Sequence, residues 1–467
     1  MTGLHKADIK KAYYYLRRNG LRDTFLAALE RLQIKKGENY VYEAPDGRTL
    51  MLQKKRAEEE LADSVKFSIL VPAYHTKESY FCAMVESVLR QSYGCFELVI
   101  ADAGAQKELE DIVKGYDDDR IKYLALDENR GISENTNKAL TAAEGDYIGL
   151  LDHDDLLAPD ALYEMASAIA GAKKEGVTPK LLYSDEDKCD ESGENYYEPH
   201  RKTAFNLDLL LSNNYICHFM VLEAGLMKKL GLRKTYDGAQ DFDLALRAAG
   251  SILAVSENGQ TSKRLGVAGE KAICHIPKVL YHWRCHRDST AANPQSKQYA
   301  YEAGARAVAS FLRGNGLAGS VKPLKHLGFY RVQYGQDVFR ERADIGIIGG
   351  KLLRKNKITG GIYNEDGICP YEGLYKDFGG YLHRAVLVQD AYAVDVRRMR
   401  VRAELIPVVK SILEEKGYAA GFSEDGMPVF EKALPPDDLC RQISMEICRG
   451  VHVRGYRILW NPDWKNA

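Results

Sequence analysis

No two of the nine cysteines, at 82, 95, 189, 217, 274, 285, 369, 440 and 448, are spaced as CxxC, and they form no even-numbered framework. This excludes a disulfide-stapled secreted scaffold and points to core thiols in a reducing compartment. Charges punctuate the N-terminal segment, and no later stretch reaches about 18 uncharged apolar residues, so neither a signal peptide nor a transmembrane helix is expected. The expected location is the cytoplasm, including the inner face of the cell membrane as a peripheral site. An excess of one charge sign is also missing: 65 Lys and Arg stand against 66 Asp and Glu, a formal net charge of -1. No general affinity for nucleic acid follows from that balance, and any basic site must be local. What the chain does have is size, 467 residues with 45% hydrophobic, enough for two domains and an appendage.

Residues 1–65 carry the basic, aromatic segment IKKAYYYLRRNGLRDTFLAALERLQIKK, whose apolar residues recur at helical spacing on both sides of Gly20. It predicts a helical pair that either packs on the main domain or lies on an anionic membrane surface. From Lys66 the pattern changes to short apolar runs alternating with amphipathic stretches: KFSILVPAY, FELVIADAG, IKYLALDEN and DYIGLLDHDD read as strands, ESYFCAMVESVLRQS and ISENTNKALTAA as helices. The alternation predicts an α/β domain over 66–312, a mostly parallel sheet with helices on both faces. Ligands in such sheets sit at the carboxyl ends of the strands. Those ends are Pro72, Ala73 and Tyr74, then Asp102, then Asn129 to Gly131, then Asp152 to Asp155. A smaller α/β region follows over 313–467, with no second DHDD run.

The run Gly149-Leu150-Leu151-Asp152-His153-Asp154-Asp155 delivers three carboxylates at a strand end. Hard cations such as Mg²⁺ or Mn²⁺ take oxygen ligands and are commonly shared with the phosphates of a substrate, so a nucleotide is implied. Aspartates two apart on an extended strand end face one side, which pairs Asp152 with Asp154. Asp154 is the preferred metal ligand; Asp152 serves the metal or the ribose. The alternative is a turn whose aspartates cap the next helix. Asp102 could accept the N3 proton of a uracil or thymine ring, or close an Asx turn. Arg130 precedes Gly131, which permits close backbone approach to phosphate, against the plain reading of a solvated loop. Asp241, at a helix start in YDGAQDFDLALRAAG, suits a general base or an N-cap, whereas Asp243 lies off that face and reads as structural. In LYHWRCHRDST, His286 is the candidate to join aspartate on the metal, and zinc spacing is lacking. Asp185, Glu186 and Asp187 read as a solvated hairpin, with an acceptor-site rim of Asp185 and Asp187 as the alternative.

Read together, FSILVPAYHTKESYFCAMVESVLRQSYGCFELVIADAG, DENRGISENTNKALTAAEGDYIGLLDHDDLLAPDALYEM, LLYSDEDK, GAQDFDLALR and ICHIPKVLYHWRCHRDSTA resemble a family 2 glycosyltransferase of GT-A fold, of the kind that builds bacterial O-antigen, rhamnan or other cell-surface polysaccharide. The resemblance covers roughly residues 66–290. It implies that Pro72, Ala73 and Tyr74 contact the nucleotide, Asp102 the base, that Asp152 and Asp154 form a DxD element, that Asp241 is the base, and that His286 completes the metal shell. Gln240 stands where the family's motif has Glu. Asn214-Tyr215-Ile216-Cys217-His218 departs from the glycine usual in the loop before the acceptor helix.

The C-terminal segments IGIIGGKLL, AYAVDVRRMRVRAEL and PPDDLCRQISMEICRGVHVRGYRILWNP resemble the latter half of a second such domain. Asp437 and Asp438 stand there without a partner DxD, so the region reads as non-catalytic, shaping the acceptor site or a homodimer contact. The expected activity is inverting, metal-dependent transfer of a hexosyl or rhamnosyl group from a UDP- or dTDP-linked donor to a hydroxyl of a growing polysaccharide or lipid-linked glycan. The rivals are an inactive scaffold subunit and a sugar nucleotidyltransferase; the latter needs a glycine-rich basic loop where PAYHTKES stands.

Overall fold

The computed structural model describes residues 6–34, 40–61, 65–104, 106–257, 260–286, 298–431 and 434–464. Among the described residues nine strands build the main sheet: β1 (Phe67–Ala73), β2 (Phe96–Asp102), β3 (Ile121–Ala125), β4 (Tyr147–Leu150), β5 (Leu156–Leu157), β6 (Leu181–Cys189), β7 (Tyr196–His200), β8 (Met220–Glu223) and β9 (Ile273–Arg284). Their order is β3-β2-β1-β4-β8-β6-β9-β5, with β7 on β6. The half built from β3, β2, β1 and β4 is parallel, as expected. Beyond β4 only the β6–β9 pairing is parallel, and the other four are antiparallel, so the whole sheet is mixed.

The sequence dictates this burial. FSILVPA is apolar almost throughout because both faces are covered: Leu70 packs with Val99, Ala101 and Ile148 in one core, while Phe67, Ile69 and Val71 pack with Leu98 and Ile100 in the other. Chain order reverses between β1 and β4, since β1 leads outward to β2 and β3 before the chain returns to β4. That switch opens a crevice at the carboxyl ends, into which the end of β4 delivers the DHDD run.

The C-terminal region has its own core, from Ile347 to Trp460, around a four-stranded sheet ordered Gln389–Asp390, Arg457–Trp460, Ile345–Gly349, Met399–Val401. The hairpin Gly319–Pro323 with Tyr330–Tyr334 instead joins the main core, Tyr330 stacking on Phe242 at 6.1 Å. Two buried guanidiniums bind the regions together. Arg342 forks onto Asp208 of the main domain (2.9 and 2.9 Å) and onto Asp344 (2.8 and 2.8 Å), and Arg457 reaches Asp344 at 3.0 Å and also pairs with Glu270.

The short helix Leu207–Ser212 is held along its length by the same region. Leu207 N–H donates to Asp390 Oδ2 (2.8 Å), the Asn206 amide exchanges bonds with the Asp390 backbone (2.8 and 2.9 Å), and Ser212 Oγ donates to Val388 O (2.9 Å).

The helix Lys6–Ile34 breaks at Gly20, whose φ of 80° is left-handed, consistent with the helical pair expected there. It lies on the C-terminal side of the molecule, through Arg22–Asp377 (2.9 Å), Asp23–Lys325 (2.8 Å) and a bond from Gly380 N–H to Glu30 (2.6 Å). The helix Gly47–Glu60 packs on the main domain instead, Gln53 bonding Asp160 and Ser92. Among the described residues no helix is long and apolar enough to cross a membrane. The cysteines correct one expectation: only Cys189, Cys369, Cys440 and Cys448 are buried, Cys95 is exposed, and Cys217 stands in the crevice described next.

Candidate active site

The DHDD run forms a tight turn rather than a helix cap: Asp155 N–H returns to Asp152 O at 3.2 Å. Asp155, 1% exposed, anchors the turn by accepting from Tyr281 Oη (2.5 Å) and Arg284 N–H (2.8 Å), both on β9. Burial pushes its carboxyl well above the usual aspartate range, and the neighbouring Asp154 and Asp152 add to the rise. Its bonds to β9 hold the other two aspartates at the crevice. Asp154 Oδ2 meets His286 Nε2 at 2.9 Å across 132 residues of sequence, so two of the three expected metal-binding groups stand side by side. Asp152 is also raised, by burial first, with Asp154 and Asp241 adding to the effect and His218 working against it.

Asp241 occupies the first turn of the helix Gln240–Leu253, yet Ala239 is the N-cap. Its carboxylate is therefore free to face outward, where it accepts from Asn214 Nδ2 (2.7 Å) and lies 3.8 Å from Cys217 Sγ. Asp243 behaves as the sequence predicts for a structural residue. It is buried and held by Arg233 Nε (3.0 Å) and Arg247 Nε (2.8 Å).

At the end expected to hold the nucleotide, Pro72 and Ala73 finish β1, and Tyr74 is 45% exposed with its ring 4.1 Å from that of His75. Asp102 is fully buried at the end of β2 and accepts from Gly104 N–H (2.8 Å), Gln106 N–H (2.9 Å) and Tyr123 Oη (2.6 Å). It thus closes the turn that follows β2. Arg130 is not drawn into the cluster, being exposed and bonded through Nε to Glu128 (2.6 Å). Gly131 adopts φ +98°, and a Cβ there would come within 2.5 Å of Asp237 Oδ2. The helix Ile132–Thr141 that Gly131 opens has its N-terminus met by that same Asp237, which accepts from Ser133 N–H at 3.3 Å.

The SDED run requires a correction. It lies inside β6, not in a solvated hairpin, and neither aspartate forms an exposed rim. Asp185 is taken by Lys202 N–H (2.8 Å) and His275 Nε2 (2.7 Å), Asp187 by Tyr40 Oη (2.7 Å) and His282 Nδ1 (2.6 Å). Side chains alternate along a strand, so Glu186 between them turns the other way. It meets His218, a residue the sequence reading set aside with its loop, and Cys217 stands beside both: one ligand atom from each lies within 4.8 Å of the others. The departure from glycine at Asn214 to His218 was the available signal, because that loop supplies Asn214, Cys217 and His218 to the site.

The model for glycosyl transferase family 2 matches residues 68–231, from β1 to just past β8. The chain is 30% identical over 271 residues to the O-antigen biosynthesis protein RfbC of Myxococcus xanthus, covering 57% of this chain and 19% of that protein. It spans 25% of the length of one curated relative, of Sinorhizobium fredii, and 19% of that of RfbC. It is also 30% identical over 236 residues to the putative colanic acid biosynthesis glycosyl transferase WcaA of Escherichia coli, covering 47% of this chain and 81% of WcaA. A crystal structure of S. aureus TarS residues 1–349 with UDP superposes with a TM-score of 0.38 at 19% identity, covering 53% of this chain and 65% of that one. The α/β sheet with its strand-end crevice is the GT-A architecture, and the chain belongs to glycosyl transferase family 2.

Proposed function

We propose that the protein transfers a sugar from a UDP- or dTDP-linked donor to a hydroxyl of a growing cell-surface polysaccharide or lipid-linked glycan, with inversion. The observation that carries this reading is the pairing of Asp154, just past the end of β4, with His286, just past the end of β9. A carboxylate oxygen beside an imidazole nitrogen is a donor set that suits Mn²⁺ or Mg²⁺, and these two residues, with Asp152, would hold the ion. When bound, such an ion stabilises the negative charge that builds on a departing diphosphate.

The chain's own residues do the rest. Exposed Tyr74 offers a stacking face for the base, just past the end of β1 with Pro72 and Ala73 and beside the β2 end that carries Asp102. Asp241 takes the proton of the acceptor hydroxyl as that oxygen attacks the anomeric carbon from the side opposite the leaving group. Asn214 orients the carboxylate without cancelling its charge. Orientation of the two sugars between fixed groups supplies much of the remaining acceleration.

Sequence kinship to proteins named for O-antigen and colanic acid biosynthesis supports a polysaccharide or lipid-linked acceptor. Leu21 and Phe25, 80% and 64% exposed, recur at helical spacing beside exposed Arg17, Arg18 and Arg22, which supports a peripheral contact with an anionic membrane. Failure to float with anionic vesicles would remove that element alone.

The test incubates the protein with Mn²⁺ and a panel of nucleotide sugars and measures release of nucleoside diphosphate. Asp241→Asn is expected to lower kcat by about 10²- to 10⁴-fold with donor binding retained. Undiminished turnover by Asp154→Ala would sink the metal assignment.

A further inference from the structure

The mechanism above leaves Glu186 and His218 without a task, yet the fold commits much to holding them. Glu186 is buried and accepts from His200 Nδ1 (3.1 Å), His218 Nδ1 (3.1 Å) and His218 N–H (3.2 Å), with Lys202 Nζ 3.6 Å away. The Lys202 side chain is itself fully buried and donates to the backbone oxygens of Ile216 (2.6 Å) and His218. The His218 ring is stacked on Tyr281 at 4.5 Å and 12°, and Tyr281 is the residue that anchors Asp155. One face, one nitrogen and the backbone of His218 are therefore fixed. Among the described residues Nε2 meets only the Cys217 sulfur, at 3.7 Å.

An ion shared by Glu186, Cys217 and His218 is the competing use of this cluster. Lys202 already balances Glu186, which leaves the cluster little negative charge to offer a cation. The arrangement instead fits a donor held ready. With Nδ1–H committed to Glu186, a proton on Nε2 exists only in the charged ring. Burial opposes that charge, but the contacts with Cys217 and Glu186 outweigh it and hold the His218 pKa well above the ordinary histidine value.

Position selects the ligand. In an inverting displacement the transferred ring lies between the leaving diphosphate, at Asp154 and His286, and the attacking hydroxyl, at Asp241. His218 stacks on Tyr281, whose hydroxyl accepts from Asp152 N–H (3.3 Å), and it reaches Asp241 through Cys217, so it flanks that ring. We propose that His218 is a further catalytic residue whose Nε2–H bonds a hydroxyl of the sugar being transferred, with Glu186 as the positioning residue that holds the ring. This rests on the donor reading given above.

Calorimetry on the full chain with Mn²⁺ tests it, using UDP-glucose, UDP-galactose, UDP-N-acetylglucosamine and dTDP-rhamnose against UDP and dTDP. His218→Gln is expected to bind the free nucleoside diphosphate within about twofold of wild type, which also shows that it is folded. It should bind the preferred sugar nucleotide about tenfold or more weakly, the loss of a bond to a charged group. Glu186→Gln should behave like wild type near pH 6 and like His218→Gln near pH 8, because removing the carboxylate lowers the pKa at which Nε2–H is lost. The groups that face this ring otherwise, Lys202, Cys217, Asp152, Asp155 and Tyr281, are unchanged in that variant. Equal weakening of UDP and UDP-sugar, or a rise confined to acceptor KM, overturns the proposal alone. A wild type that binds none of the six compounds overturns the donor reading together with it.

Discussion

The carboxylates of the crevice and those of the C-terminal region keep different company. Asp154 is matched by a histidine and Asp241 by an asparagine. In the C-terminal region Asp344 is gripped by Arg342 and Arg457, Asp395 by both ends of the Arg397 fork (2.8 and 2.9 Å), and Asp437 and Asp438 by Arg397 and Arg441. A guanidinium is a permanent cation, so a carboxylate forked by one is already neutralised and unavailable to a metal ion or a proton. The helix Gln240–Leu253 shows both policies two residues apart, with Asp241 facing an amide and Asp243 facing two arginines. The carboxylates proposed to act, Asp154 and Asp241, lack the guanidinium partner that those of the C-terminal region have.

That distinction can be broken at three points. Arg342→Met leaves Asp208 buried without its cation and Asp344 with Arg457 alone, and the expected cost is about 3–5 kcal/mol of stability, read as a fall in urea midpoint, with turnover per folded molecule kept. An unchanged midpoint would mean that the forked pairs hold nothing together. Asn214→Arg places a guanidinium where Asp241 now meets an amide. Turnover should drop by about tenfold or more, equivalent to about 1.4 kcal/mol, with thermal stability unchanged or raised. Full activity in that variant would detach base function from the identity of the partner. The smallest effect is expected from Asp438→Ala, whose carboxylate is 87% exposed. Neither activity nor stability should move by more than about 0.5 kcal/mol, and a loss of turnover would give the C-terminal region a chemical part.

The sequence showed the strands of the parallel half and the DHDD run because each is a local pattern. An apolar run ending in aspartates needs no distant partner to be recognised. Asp154 and His286 were nameable separately, and only the pairing of β9 beside β5 and β6 brings them to 2.9 Å. Glu186 escaped because Asp185, Glu186 and Asp187 are all buried, which erases the alternation that would have told one face of β6 from the other. His218 escaped because its partners are a strand 32 residues earlier and a lysine on the segment between. Arg130 shows the opposite case: its cation is spent on Glu128, two residues away, a local pairing that a motif does not reveal.

The helix Leu207–Ser212 ends two residues before Asn214, and the C-terminal region holds it at Asn206, Leu207 and Ser212. The loop that carries Asn214, Cys217 and His218 therefore takes its footing from a part of the chain that contributes none of these side chains. A chimera that exchanged the C-terminal region for that of a relative would leave every one of them in place and still re-aim the loop. For anyone engineering acceptor choice, the two regions have to be moved as one piece.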